Sequence, residues 1–262
     1  DQIIFDCRFN LADPSAGEQA YQAGHIPGAF YLHLDADLSS PIRADTGRHP
    51  LPDIKNFANK LAAYGLNRNT QVFVYDDNSG AFAGRTWWLL RWLGHEAVAV
   101  LDGGLTAWIT AGGVLEQTQA HKPEQVGNFQ AQTQPDYFLT TAVLSQPHPY
   151  QLIDARSAER FRGELEPIDP IAGHIPGALN HPLTDNLSNG QFKSPETLKQ
   201  EWEAKLAGKS AREIVHMCGS GVSACHNLLA MEIAGLSGSR LYVGSWSEWI
   251  RDLKRPIATG DS

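Results

Sequence analysis

A cysteine at the start of a glycine-containing loop is the residue of this chain best suited to chemistry. Cys218 follows the apolar run 214–217, and a helical pattern begins at Val222. The loop reads Cys218-Gly219-Ser220-Gly221-Val222-Ser223-Ala224. Between a strand and a helix, the N–H groups of such a loop point inward and the helix N-terminus adds positive potential, which together favour a thiolate. The sequence therefore predicts a nucleophilic Cys218; the alternative is a buried structural cysteine before a tight turn.

The same short motifs occur twice along the chain in the same order. Asp6-Cys7-Arg8 recurs as Asp154-Ala155-Arg156, and Gly24-His25-Ile26-Pro27-Gly28-Ala29 recurs as Gly173-His174-Ile175-Pro176-Gly177-Ala178. A repeat of this length indicates two duplicated domains rather than a solenoid. Aligning the copies puts Asp76 or Asp77 at the place of Cys218, so we expect one catalytic copy and one supporting copy.

Strands and helices alternate within each copy, which predicts α/β domains built on parallel sheets. The predicted strands are 3–5, 72–75, 97–101, 151–153, 213–217 and 240–243, and the predicted helices are 54–64, 85–93, 195–206 and 222–234. We predict a first domain over 1–115, a Gln-rich linker over 116–136 and a second domain over 137–262. The second copy opens with a predicted strand and helix start over 137–144 that the first lacks, so we expect the numbered chain to lack the opening segment of the first domain.

Composition narrows the class of protein. The chain has 262 residues, 42% of them hydrophobic and 19% charged, and its net charge of −8 argues against nucleic acid as a partner. No apolar run is long enough for a membrane span, and no secretory signal is visible, although a start at Asp1 leaves a removed leader possible. Three cysteines predict no disulfide framework and favour the reducing cytoplasm, and the histidines lack metal-ligand spacing.

These features together resemble the two-domain rhodanese-like sulfurtransferases over nearly the whole chain. The Gly-Ser pair after Cys218 is similar to that of 3-mercaptopyruvate sulfurtransferases, whereas thiosulfate sulfurtransferases typically carry Arg-Lys there. The resemblance implies tandem rhodanese-like domains, each a parallel sheet flanked by helices, with only the second catalytic. It implies that Cys218 takes sulfur from the small-molecule donor 3-mercaptopyruvate as a persulfide and releases pyruvate. Sulfur then passes to cyanide or to an acceptor thiol such as that of thioredoxin, without a cofactor or metal.

The resemblance also assigns roles to individual residues. The loop amides are expected to hold the persulfide, and they belong to Gly219, Gly221, Val222, Ser223 and Ala224 together with Ser220. Ser220 is expected to protonate the pyruvate enolate, with His25 behind it and Asp13 orienting the imidazole. Arg160 is expected to bind the donor carboxylate as a bidentate fork. The alternatives are a loop-turn role for Ser220 and a domain-interface role for His25. A second arginine of the family is replaced by Ile168.

Three other functions compete with this interpretation. The runner-up is a thiosulfate sulfurtransferase, which shares the loop and the persulfide. A cysteine phosphatase needs an arginine six residues after the cysteine, where this chain has Ala224. A non-catalytic sulfur-carrier module is the third, and the intact loop with Ser220 argues against it. Cys225, two helical turns after Cys218, is predicted to pack on the helix rather than to resolve a disulfide.

Overall fold

The computed structural model describes residues 2–261, which form two compact units. The first unit runs to Pro41 and includes Leu51–Gln134, and the second consists of Ile42–Pro50 and the chain from Pro135 onward. Residues 42–50 therefore come from the first half of the chain but belong to the second unit. Both units have the predicted α/β architecture of a parallel sheet flanked by helices.

The first unit contains a four-stranded parallel sheet in the order β2-β1-β3-β4. Its strands are β1 (Gln2–Asp6), β2 (Ala29–Tyr31), β3 (Gln71–Tyr75) and β4 (Val98–Val100). Its helices are α1 (Ala16–Ala23), α2 (Ile54–Ala63), α3 (Ala83–Trp92) and α4 (Gly104–Thr110).

The second unit contains a five-stranded parallel sheet in the order β5-β11-β10-β6-β7. Its strands are β5 (Phe138–Leu139), β6 (Gln151–Asp154), β7 (Leu179–Asn180), β10 (Ile214–Met217) and β11 (Arg240–Tyr242), and a small antiparallel hairpin joins β8 (Leu187–Ser188) to β9 (Gln191–Phe192). Its helices are α5 (Thr141–Leu144), α6 (Ala158–Arg162), α7 (Pro195–Leu206), α8 (Ala224–Ile233) and α9 (Ser245–Trp249).

The central strand β10 explains why an apolar run precedes Cys218. All four of its residues are buried, because helices cover both faces of a parallel sheet. Val215 and Met217 pack in one cluster with Trp246, and Ile214 packs in the other with Trp202. Ser194 caps α7 by accepting from the N–H of Thr197, so this helix begins where the sequence predicts.

The predicted helices and central strands lie within two residues of the observed ones, and the predicted strand and helix start over 137–144 corresponds to β5 and α5. Several short elements were not predicted. The elements α1, α4, α6, α9, β2 and β7 span two to eight residues, too few for a clear apolar period. Helix α8 begins at Ala224 rather than at Val222, because the loop after Cys218 continues for two more residues. Within residues 2–261, no strand of the first sheet corresponds to β5.

The Gln-rich stretch predicted as a linker lies along the first unit up to Gln134. The N–H of Gly127 donates to the carbonyl of Ala62 at 2.8 Å, and that of Gln132 donates to the carbonyl of Leu93 at 2.9 Å. These hydrogen bonds satisfy backbone N–H groups of a segment that has no regular secondary structure, so the segment packs on the first unit without forming a helix or strand. Across residues 2–261, no helix combines the length and the apolar character needed to cross a bilayer.

Candidate active site

The carboxyl end of β10 places Cys218 where open α/β sheets bind ligands. The Cys218 thiol is buried. Its Sγ accepts from the backbone N–H of Gly221 at 3.2 Å and from that of Ser220 at 3.5 Å. The loop therefore presents two N–H donors to the sulfur, which suits an anionic sulfur at this position.

Helix α9 sets the direction of the loop peptides. The N–H groups of Trp246 and Ser247 donate to the carbonyls of Cys218 and Gly219 at 3.0 and 2.9 Å. Because a trans peptide points its N–H opposite to its C=O, turning the Gly219 carbonyl toward α9 aims the N–H of Ser220 at the sulfur. Gly221 has φ of +78°, and a Cβ there would lie 2.6 Å from the carbonyl oxygen of Val243, so the position requires glycine.

The corresponding loop of the first unit holds a carboxylate in place of a thiol. The buried Asp76 side chain accepts from four backbone N–H groups at 2.8–2.9 Å, those of Asn78, Gly80, Phe82 and Ala83. Asp77 is exposed, so Asp76 is the counterpart of Cys218. The first-unit loop thus fills its own anion cradle, as expected of a supporting copy.

We predict that Asp76→Asn destabilises the protein by about 2–4 kcal/mol. An amide offers one acceptor oxygen where the carboxylate offers two, so buried N–H donors lose their partner and face an NH₂ group. Urea unfolding at pH 7 measures the change, with Asp77→Asn as the matched control because that side chain is exposed. An equal effect of both substitutions would contradict the role given to Asp76.

Ser220 contacts a histidine that sequence reasoning missed. The Oγ of Ser220 lies 2.7 Å from Nδ1 of His49, and both residues are buried. The segment carrying His49 is fixed to the C-terminal part of the second unit: Arg251 Nε donates to the carbonyl of Thr46 at 3.2 Å, and the N–H of Arg48 donates to Ser247 Oγ at 3.0 Å. An imidazole bonded to a hydroxyl beside a thiol is an arrangement that can move a proton.

The sequence signal for His49 is a difference between the copies. The connection from β2 to α2 spans residues 32–53, whereas that from β7 to α7 spans only 181–194. The longer connection of the supporting copy carries Arg48-His49. His49 has no counterpart in the second copy, so the repeated motifs do not point to it.

The repeated histidines have matching structural surroundings in the two units. The His25 ring stacks on Tyr21 at 3.9 Å with Nδ1 2.7 Å from the Tyr21 carbonyl, and the His174 ring stacks on Phe161 at 3.8 Å with Nδ1 2.8 Å from the Phe161 carbonyl. Both are fully buried. Because the copy without the thiol keeps this arrangement, it favours a structural role for both rings. The imidazole bonded to Ser220 is that of His49, which corrects the expectation for His25.

Asp13 and the repeated Asp-Arg pairs also serve local structure. Asp13 Oδ1 accepts from the N–H and the Oγ of Ser15 at 3.1 and 2.7 Å, in the turn before α1. Both of these contacts are with Ser15, so neither orients an imidazole. Asp154 binds Arg156, which also donates to the carbonyl of Gly173 at 2.8 Å, and the first unit repeats this with Asp6, Arg8 and Gly24.

Arg160 lies at the loop, already paired with two carboxylates. Its guanidinium donates to both oxygens of Glu166 at 2.7 and 3.1 Å and to Asp169 at 3.3 Å. Burial alone would raise the pKa of Glu166, but Arg160 and the backbone N–H of Asp169 lower that pKa below its usual value. Ile168 is exposed and brings no cation, and Arg162 pairs with the exposed Glu164.

Cys225 lies buried on α8, where its Sγ donates to the carbonyl of Gly221 at 3.4 Å. Within residues 2–261, Cys7, Cys218 and Cys225 form no disulfide. Within the part of the chain that the structure describes, His, Cys, Asp and Glu side chains form no group of three able to hold a metal ion.

The buried His216, two residues before Cys218, is expected to make the second unit sensitive to acid. Burial and the neighbouring His181 lower the pKa of His216 to about 3. An unfolded histidine titrates near pH 6.5, so between these values the unfolded state binds more protons. We predict that the free energy of unfolding falls by about 2 kcal/mol between pH 6.5 and 4.5 through His216, with no contribution above pH 7.

Urea unfolding of His216→Gln at a series of pH values measures this contribution. Glutamine cannot take up the proton, so the difference in unfolding free energy between the variant and the unsubstituted protein should shrink as the pH falls. His121→Gln is the control, since His121 is exposed. Parallel pH profiles for His216→Gln and the unsubstituted protein would contradict the prediction.

Comparison with known proteins places these observations in a family. The rhodanese-like domain matches residues 1–111 and 141–252. A Pseudomonas aeruginosa protein named "Probable 3-mercaptopyruvate sulfurtransferase" is 53% identical over all of this chain and 93% of its own length. A Mycobacterium tuberculosis protein named "Putative thiosulfate sulfurtransferase SseB" is 38% identical over 98% of this chain and 90% of its own length.

Solved structures agree with the sequence comparisons. The 3-mercaptopyruvate sulfurtransferase from Leishmania major superposes with a TM-score of 0.86 at 32% identity, over 97% of this chain and 71% of its own. The two matches to one domain family agree with the two units of the fold. The chain belongs to the rhodanese-like family and is a tandem-domain sulfurtransferase.

Proposed function

We propose that this sulfurtransferase takes sulfur from 3-mercaptopyruvate and carries it as a persulfide on Cys218. The observation that carries the proposal is the 2.7 Å contact between Ser220 and His49, two residues along the loop from the thiol. A mercaptopyruvate donor leaves as the enolate of pyruvate and must gain a proton, whereas thiosulfate leaves as sulfite and needs none at carbon. A proton-delivering pair beside the sulfur therefore suits the first donor.

The first half of the reaction forms one bond and breaks one. The Cys218 thiolate attacks the sulfur of the donor, an S–S bond forms, and the C–S bond breaks with its electron pair passing to carbon. Ser220 then gives its hydroxyl proton to the carbon of the enolate, and His49 gives a proton back to the serine oxygen. Pyruvate leaves, and the outer sulfur stays on Cys218 as a persulfide. The proton that the donor thiol carried on this sulfur is released when the persulfide ionises and replaces the proton that His49 gave up.

The loop amides hold the anionic persulfide in this proposal. The N–H groups of Ser220 and Gly221 already point at Sγ. The amides of Gly219, Val222, Ser223 and Ala224 complete the cradle in our proposal. Those of Val222 and Ala224 follow Cys218 at the spacing at which Gly80 and Phe82 follow Asp76. Preorganised donors of this kind stabilise charge without rearranging. Arg160 binds the donor carboxylate through its guanidinium.

The second half of the reaction transfers the outer sulfur to cyanide or to an acceptor thiol such as that of thioredoxin. A nucleophile attacks the outer sulfur, the S–S bond breaks, and Cys218 regains its thiolate. We place the protein in the cytoplasm, since the three cysteines form no disulfide in the part of the chain that the structure describes, and a reducing compartment keeps acceptor thiols available.

Mass spectrometry of the intact protein tests the proposal. After brief exposure to 3-mercaptopyruvate and removal of excess donor, the protein should gain the mass of one sulfur atom, pyruvate should appear in equal amount, and a reductant or cyanide should remove the added sulfur. Thiosulfate in a parallel sample should load the protein more slowly. Loading by thiosulfate alone would replace the proposal with the thiosulfate reaction, and loading by neither would overturn both.

A further inference from the structure

A second guanidinium lies beside the loop, supplied by residues 42–50. Gly219 follows the reactive cysteine directly, and a Cβ built on it would lie 2.7 Å from Nη2 of Arg48 and 3.5 Å from Nη2 of Arg160. The absent side chain of Gly219 therefore leaves room for two arginine side chains that reach the loop from different parts of the chain. Although the loop itself contains no cationic residue, Arg48 and Arg160 bring positive charge to it.

Arg48 is held in this position at both its ends. Its backbone N–H donates to Ser247 Oγ at 3.0 Å, and its guanidinium pairs with Asp169. The Arg48 side chain is 20% exposed and that of Asp169 is 3% exposed. A partly exposed guanidinium over a buried carboxylate is oriented and still open to a ligand on its outer side.

Asp169 explains how two like charges stay together. Its Oδ1 pairs with Arg48, and its Oδ2 lies 3.3 Å from Arg160. One carboxylate thus bridges Nη1 of Arg48 and Nη2 of Arg160, and Nη2 of Arg48 lies beside Gly219. A guanidinium has five N–H donors in a planar fork, so Arg48 can bind Asp169 and still donate to a second carboxylate. Arg160 also binds Glu166 through Nε and Nη2, and its Nη1 group can still donate to the sulfur donor.

We infer that Arg48 binds the carboxylate of the sulfur donor together with Arg160, and so selects donors that carry an anionic group next to the carbonyl. The inference rests on the proposed function and adds to it a specificity residue from the first half of the chain. Arg48 directly precedes His49 in the sequence. The same short segment therefore brings a cation to the carboxylate of the donor and a proton path to the carbon that loses sulfur.

The test compares two donors on Arg48→Gln. One is 3-mercaptopyruvate, and the other is mercaptoacetone, which keeps the α-mercaptoketone but has a methyl group in place of the carboxylate. We expect the KM for 3-mercaptopyruvate to rise about tenfold, as for loss of one hydrogen bond between charged groups, with kcat nearly unchanged. The kcat/KM for mercaptoacetone should stay the same. Arg48→Lys should fall between, because it keeps the charge and loses the fork.

Two further variants separate recognition from indirect effects. Arg48→Gln leaves Asp169 with one partner fewer, so its charge could repel the donor; Arg48→Gln combined with Asp169→Asn removes that charge and should keep the raised KM. Gly219→Ala leaves Arg48 in the sequence but pushes its guanidinium away through the 2.7 Å contact, and it should raise the KM for 3-mercaptopyruvate by a larger factor than the KM for mercaptoacetone. Arg162→Gln is the control, since that arginine pairs at the surface with Glu164.

The outcomes distinguish this inference from the proposed function. If 3-mercaptopyruvate loads the unsubstituted protein but Arg48→Gln keeps its KM, the inference falls and the function stands. Equal losses with both donors, or a KM restored by Asp169→Asn, would also overturn it. Failure of 3-mercaptopyruvate to load the unsubstituted protein would instead reject the proposed function, whatever Arg48 does.

Discussion

Cys218→Ser should lose sulfur transfer with every donor while the protein keeps its fold. A serine hydroxyl has nearly the size of the thiol, so it can occupy the buried position beneath the N–H groups of Ser220 and Gly221. It is a poor nucleophile at neutral pH and cannot form a persulfide. We expect turnover at least about a thousandfold below that of the unsubstituted protein, with no added sulfur by mass and an unchanged circular dichroism spectrum.

The other two cysteines supply matched controls for this substitution. Cys7→Ser makes the same change at a buried thiol of the first unit, 3.2 Å from Thr86 Oγ1, and should keep full turnover. Cys225→Ser should still form the persulfide and cost at most a modest amount of stability. Turnover retained by Cys218→Ser, or a comparable loss in Cys7→Ser, would reject Cys218 as the nucleophile.

The sequence predicts the parts of this fold that repeat or that show a clear period. The strand before Cys218 is apolar except for His216 because it is buried on both faces, and the paired GHIPGA turns reveal the duplication. Short elements such as β7 and α9 carry too few residues for a period, although α9 sets the loop peptides through Trp246 and Ser247. The sequence does not predict these short elements, because their role depends on contacts with residues that lie far away along the chain.

The candidate site divides in the same way. Cys218, Ser220 and Arg160 lie in one neighbourhood of the second unit, as the motif and the resemblance predict. His49 and Arg48 could not be predicted, because residues 42–50 join the second unit across more than half of the chain. His25 was predicted as a catalytic residue, and its motif occurs in both copies. Because the copy without the thiol also keeps this motif, a role in folding explains the histidine better than a role in catalysis.

Ser220→Ala and His49→Gln should each slow pyruvate release from 3-mercaptopyruvate by about a hundredfold or more, which is the usual contribution of a positioned acid or base. Each variant removes one end of the same hydrogen bond, so the double variant should be little worse than either single one. The KM should change little, because neither side chain binds the donor carboxylate. Initial rates of pyruvate formation with cyanide as acceptor measure these effects.

Thiosulfate separates proton delivery from support of the loop. Sulfite leaves without taking a proton at carbon, so loading of Cys218 by thiosulfate should keep most of its rate in Ser220→Ala and His49→Gln. His25→Gln discriminates between the two histidines: its ring stacks on Tyr21 in the first unit, so we expect lower stability with no donor-specific loss of rate. A loss confined to 3-mercaptopyruvate in His49→Gln supports proton delivery by His49 through Ser220. Equal losses with both donors would mean that His49 only holds Ser220 and the loop in place. A donor-specific loss in His25→Gln would assign proton delivery to His25 instead.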